Sequence, residues 1–219
     1  MGLKQAANDQ GLQTTFWLLV QLTHAATKEQ FHTALWKLGF SVPERPTLFD
    51  VTSTFSDYVQ QHVIRKQTQT DISDISLSAA VETLTALCSK RTTDLFGVRP
   101  ENVQKSIREY ASKVGFSQLG HEFFSRFTNR YVSYLISREL PLHVGPDRRF
   151  KSTENLTEFN KALELHCRQA SRIIEEFAGG WYSKSVWQGK LSQKDTTSFL
   201  HIALKKLRAE LKRGEEKGG

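Results

Sequence analysis

Cysteine is nearly absent from this chain: two residues, Cys88 and Cys167, among 219. That excludes the dense disulfide framework of a small secreted domain, and two cysteines so far apart make no zinc-ligand spacing. The expectation is two free thiols buried on helices. Proline is scarce too, with 5 residues, so long helices face few interruptions. Long apolar runs are also missing. The best, residues 16–20, is far below the roughly 20 residues a membrane-spanning helix needs. Residues 1–21 show no well-formed signal-peptide core or cleavage site, and Ala6 departs from the serine or threonine expected of a myristoylation signal after Gly2. The sequence therefore predicts a cytoplasmic chain with no membrane partner.

What is present is aromatic mass and positive charge. The 14 Phe, 4 Trp and 5 Tyr can build a substantial core despite a hydrophobic fraction of only 38%. The formal net charge is +7, and it is uneven. Residues 141–219 hold 15 Lys/Arg against 10 Asp/Glu, whereas residues 1–140 hold 15 against 13. A field of that sign favours polyanionic partners without identifying one.

Periodicity reads helix almost throughout. Residues 13–26 form a compact apolar run, and residues 28–38 place Phe31, Leu35 and Leu38 on one side, with Gly39 as the stop. Pro43 and Pro46 make a rigid connection. In residues 54–69, Phe55, Tyr58, Val59, His62 and Val63 repeat at helical spacing. Residues 68–76 are expected as a loop, with a competing reading that continues an amphipathic helix through Ile72 and Ile75. Ser76 is then expected to cap a helix carrying Ala80, Leu84 and Leu87. Pro100 opens the next, with Val103, Ile107, Tyr110, Ala111 and Val114 as its buried face, ending at Gly115.

Residues 116–140 are the most aromatic stretch, with Leu119, Phe123, Phe127, Tyr131, Tyr134 and Leu135 on the inward track and Arg126, Arg130 and Arg138 towards water. Pro141 stops that helix. Gly145 and Pro146 mark a turn inside the boundary segment 142–151. Residues 153–177 form a further helical track that Gly179 and Gly180 are expected to close. Ser192 caps a last helix through residue 213, and residues 214–219 are expected as a short flexible tail.

Several chemistries fail on residue type. The glycines at 179–180 are followed by no Lys-Ser/Thr pair of a phosphate-binding loop. His121 and Glu122 resemble the start of a zinc-protease helix, but Ser125 stands where the second histidine is needed. His166 and Cys167 adjoin, and adjacent helical residues point about 100° apart, so they make no nucleophile–base pair. No catalytic residue, metal ligand or cofactor is assigned.

The remaining signal is basic and aromatic. Arg148, Arg149 and Lys151 form a compact cluster. Trp181, Lys184 and Trp187 lie in a segment expected to be a turn, where exposed rings could stack on bases or anchor a protein. Lys205, Arg208 and Lys212 form a stripe on the last helix opposite Phe199, Ala203, Leu207 and Leu211. These nine residues are the candidate nucleic-acid contacts, directed at phosphates rather than bases.

The sequence thus predicts an all-α, compact multi-helix bundle. Its core region is 1–140, with a basic helical region at 141–219 packed on it. The expected role is a non-catalytic accessory or interaction subunit, with RNA or DNA phosphates as a candidate partner and a protein partner or homo-oligomer beside it. The alternatives are a protein-only scaffold or oligomerisation module, and an enzyme whose polar site assembles from distant segments.

Overall fold

A computed structural model describes residues 2–89, 100–137, 140–145, 148 and 150–217. The described residues form an all-α, compact multi-helix fold with no strand. The single β-type pairing among them is an isolated bridge between Val144 and Phe150. No helix among them is long and apolar enough to cross a membrane.

The helices are α1 (Leu3–Ala6), α2 (Gln10–Ala25), α3 (Phe31–Lys37), α4 (Leu48–Arg65) and α5 (Asp71–Ser89), followed by α6 (Pro100–Arg108), α7 (Lys113–Ser137), α8 (Thr153–Ala170), α9 (Glu175–Trp187) and α10 (Gln193–Lys217). Their starts follow from local side-chain chemistry. Asp9 accepts the Leu12 amide at 2.8 Å to cap α2, and Thr47 and Asp50 cap α4 reciprocally. Ser192 accepts the Asp195 amide at 3.1 Å at the head of α10, as the sequence predicts. Gly39 stops α3 at φ +88°, while the amides of Gly39 and Phe40 return to the carbonyls of Trp36 and Leu35. That is the Schellman arrangement.

α2 and α7 form the middle of the molecule. α2 packs on α4, α5 and α10, and α7 packs on α5, α8 and α9. Aromatic side chains join them. Phe16 of α2 stacks on Phe199 of α10 at 5.5 Å and meets Phe123 of α7 at 5.3 Å, and Phe116 stacks on Tyr182 of α9 at 4.2 Å. Each buried phenyl ring contributes about 2–3 kcal/mol of transfer free energy. One apolar cluster runs from Leu3 to Leu207, so the helices beyond residue 141 share the core of those before it.

Several local expectations are corrected. Residues 71–76 are helix, not loop: the Thr70 hydroxyl accepts the Ser73 amide at 3.0 Å and starts α5, and Ile72 and Ile75 continue the amphipathic face. Ser76 is buried mid-helix and donates to the Ser73 carbonyl at 2.8 Å instead of capping. Gly115 does not end a helix. It lies in the first turn of α7, where Ser112 accepts its amide at 3.0 Å. Val114 beside it and Leu135 near the end of α7, both expected on buried faces, are exposed.

The track at residues 153–177 breaks at a 3-10 turn, Ser171–Ile174. Gly179 and Gly180 then lie inside α9 rather than closing α8, and the segment expected as an aromatic turn is that helix. Helix continues through Lys217, four residues beyond the expected end. Arg138, Arg149 and Pro146 lie outside the described residues.

Candidate functional site

Two polar constellations stand out. The first is internal. Glu122, almost fully buried on α7, is held by Arg126 one turn on and by Arg168 of α8, whose Nη2 donates to Oε1 at 2.7 Å. Beside it, His121 Nδ1 lies 2.7 Å from Glu175 Oε1 at the head of α9, and its Nε2 lies 2.9 Å from the Arg168 carbonyl. Burial pushes the Glu122 carboxyl up, but hydrogen bonds from Arg168 and Arg126 and their charges outweigh it, bringing it to about 2.

The pair that looked like the start of a metal-binding helix is therefore a tie between α7, α8 and α9. Arg126 and Arg130 are likewise engaged, not merely solvated, with Arg130 held 3.0 Å from Glu82. Among the described residues no three His, Cys, Asp or Glu side chains converge as a metal cage. Both cysteines are buried, and burial raises Cys88 to about 12 and Cys167 to about 11.

The second constellation is a surface groove of 580 Å³ between α1 and α10. It is lined by Ala7 and Ala209 together with Lys4, His201, Lys205, Arg208 and Lys212, and no carboxylate is among its described lining residues. The helix repeat explains the convergence. At about 100° per residue, Lys205, Arg208 and Lys212 fall within about 60° of one another on α10. The same helix turns Phe199, Ala203, Leu204 and Leu207 into the core. α1 packs against α10 through buried Leu3, Ala6 and Ala7, which brings Lys4 alongside. Among the described residues none of these four cations is ion-paired.

The nine sequence candidates therefore separate. Lys205, Arg208 and Lys212 come together. Trp181, Lys184 and Trp187 do not line the groove and belong to α9. Trp181 stacks on Phe199 at 4.4 Å and is half-buried against the core, whereas Trp187 is 82% exposed and Lys184 is exposed. Arg148 and Lys151 are exposed on the segment leading into α8 and line no part of the groove.

Lys206 and Arg213 lie on another flank of α10. Lys206 sits 5.1 Å over the Phe177 ring and Arg213 pairs with Glu210 at 2.6 Å. Lys4 and His201 were missed by sequence reasoning. His201 precedes Lys205 by one turn and was legible on the stripe, but nothing in the sequence relates Lys4 to residues some 200 positions away.

No family model matches the chain, nor does any curated protein or solved structure.

Proposed function

We propose that this chain is a non-catalytic accessory subunit that binds the phosphate backbone of RNA or DNA along the α1–α10 groove. The observation that carries the reading is the convergence of Lys4, Lys205, Arg208 and Lys212 on one groove with no lining carboxylate and no ion-paired partner among the described residues. From Lys205 to Lys212 the helix rises about 10 Å, the rise of roughly three phosphates along one strand. Four phosphate contacts would give a log–log salt slope of about −3 on single strands. Such contacts position a polymer without reading its bases.

The test is fluorescence anisotropy with labelled single-stranded RNA, single-stranded DNA and duplex DNA across a salt series. Submicromolar binding that weakens steeply with salt, and is lost in Lys205→Glu/Arg208→Glu, supports the reading. Absence of binding at low salt and micromolar protein overturns it.

A protein partner is the second reading, favoured by Trp187, 82% exposed at the end of α9 beside the exposed Val186. Aromatic anchors of this kind dominate many protein interfaces. Such assembly would be insensitive to salt and sensitive to Trp187→Ala.

A further inference from the structure

A smaller cavity lies at the other end of α2. It is a surface pocket with a volume of 350 Å³, lined by the last turns of α2, the 26–30 connection and α3. Its polar lining is Gln21, His24, Lys28, Gln30, Thr33 and Lys37, and no carboxylate is among the described lining residues. Neither lysine is ion-paired among the described residues.

The segment carrying Lys28 is pinned. Gln104 of α6 donates to the carbonyls of Ala26 and Lys28 at 3.2 and 2.8 Å, and the Thr27 hydroxyl donates to the His24 carbonyl at 2.7 Å. Gln21 is oriented by donating to the Leu191 carbonyl at 2.7 Å. His24 adds an unusual feature: its Nδ1 is buried with no hydrogen-bond partner. A buried polar atom without a partner is rare and costs free energy. With Nδ1 enclosed, Nε2 is the nitrogen that the ring can offer to a ligand. Burial, and then the charge of Lys28, lower the His24 pKa, so near neutral pH the ring is an uncharged imidazole. With no acceptor at Nδ1, its proton belongs on Nε2, as a donor.

We infer that this cavity binds a small phosphate-class oxyanion, held by Lys28 and Lys37 and oriented by His24, Thr33 and Gln30. Two ammonium groups match a dianion, and the additional donors from imidazole, hydroxyl and amide match its three or more acceptor oxygens. A carboxylate, with two oxygens and one charge, would leave donors unused. The apolar wall of Ala25, Ala34 and Leu38 leaves room for the short carbon skeleton of a phosphate monoester. The site is separate from the α1–α10 groove, which has its own histidine, His201.

The experiment is an NMR titration of the full chain, following the ring Cε1–H signals of His24 and His201. Each is assigned by its loss in His24→Gln or His201→Gln. Inorganic phosphate and glycerol 3-phosphate are the ligands, with acetate and chloride at matched ionic strength as controls. The expected result is a saturable shift at His24 with both phosphates. Apparent affinity should fall at least tenfold in Lys28→Gln and in Lys37→Gln, two exposed positions whose replacement leaves the circular dichroism spectrum unchanged. Tighter binding of glycerol 3-phosphate identifies a monoester as the ligand, and equal affinity identifies free phosphate. A shift at His24 that does not saturate, that acetate and chloride reproduce, or that both glutamine variants retain would overturn the assignment.

Discussion

Gly179 of α9 rests against Lys113 of α7 so closely that a Cβ on the glycine would lie 1.9 Å from the lysine carbonyl oxygen. The obstacle is backbone, which cannot swing aside as a side-chain tip can. Gly180, the next residue, has nothing within 4 Å of a Cβ position. Adjacent glycines in one helix therefore do opposite things. Gly179→Ala should destabilise the fold by about 3 kcal/mol or more, the upper range of overpacking. Gly180→Ala should stabilise it by roughly 0.5–1 kcal/mol through helix propensity. Urea denaturation of the two variants checks the pair, and equal effects would contradict the close approach.

The same glycines show where the sequence stops being legible. A Gly-Gly pair after a helical track resembles a C-terminal stop, because local chemistry cannot distinguish a left-handed cap from a close helix crossing. The distinction lies in Lys113, some 65 residues earlier. Helical class, the core positions Phe123, Phe127 and Leu207, and the Ser192 cap were readable because each depends on spacing within a few turns. The Lys205–Arg208–Lys212 stripe was readable for the same reason. Lys4 joins it, and Trp181 turns inward onto Phe199, through tertiary packing alone.

Glu122 gives a pH prediction whose sign follows from its partners. Its pKa falls from 4.5 to about 2 in the fold, so the folded chain binds fewer protons than the unfolded one over that interval. The stabilisation is fully present above pH 4.5 and is lost as pH falls towards 2. Its size is on the order of 3 kcal/mol. Glu122→Gln should lose about that much at pH 7, and the gap to the parent chain should close between pH 4.5 and 2. A gap that stays constant across that window would show that the carboxylate charge is not the source.

The thiols should be silent in the native state. Thiolate is the reactive form, and burial holds Cys88 at about 12 and Cys167 at about 11, so little forms at pH 8. Both residues are also buried. A disulfide-exchange reagent at pH 8 should label neither cysteine until denaturant is added, and both thereafter. Rapid labelling of one thiol in the folded protein would place that residue in an opening segment.

Trp181 and Trp187 separate the two proposed modes of binding. Trp181 packs on Phe199 at 4.4 Å, so Trp181→Ala removes core surface and should cost about 3 kcal/mol. Trp187 is 82% exposed, and Trp187→Ala should change stability by less than about 0.5 kcal/mol. That makes Trp187→Ala a clean probe of recognition. Because Trp187 lies off the α1–α10 groove, phosphate contact through Lys205 and Arg208 predicts nucleic-acid affinity within about twofold of the parent chain. A loss of tenfold or more, comparable to one stacked base at about 1–3 kcal/mol, would require the polymer to extend from the groove onto α9. Charge reversal at Lys205 and Arg208 must reduce affinity in either case, so measuring both variants against the same single-stranded RNA locates the path of the strand.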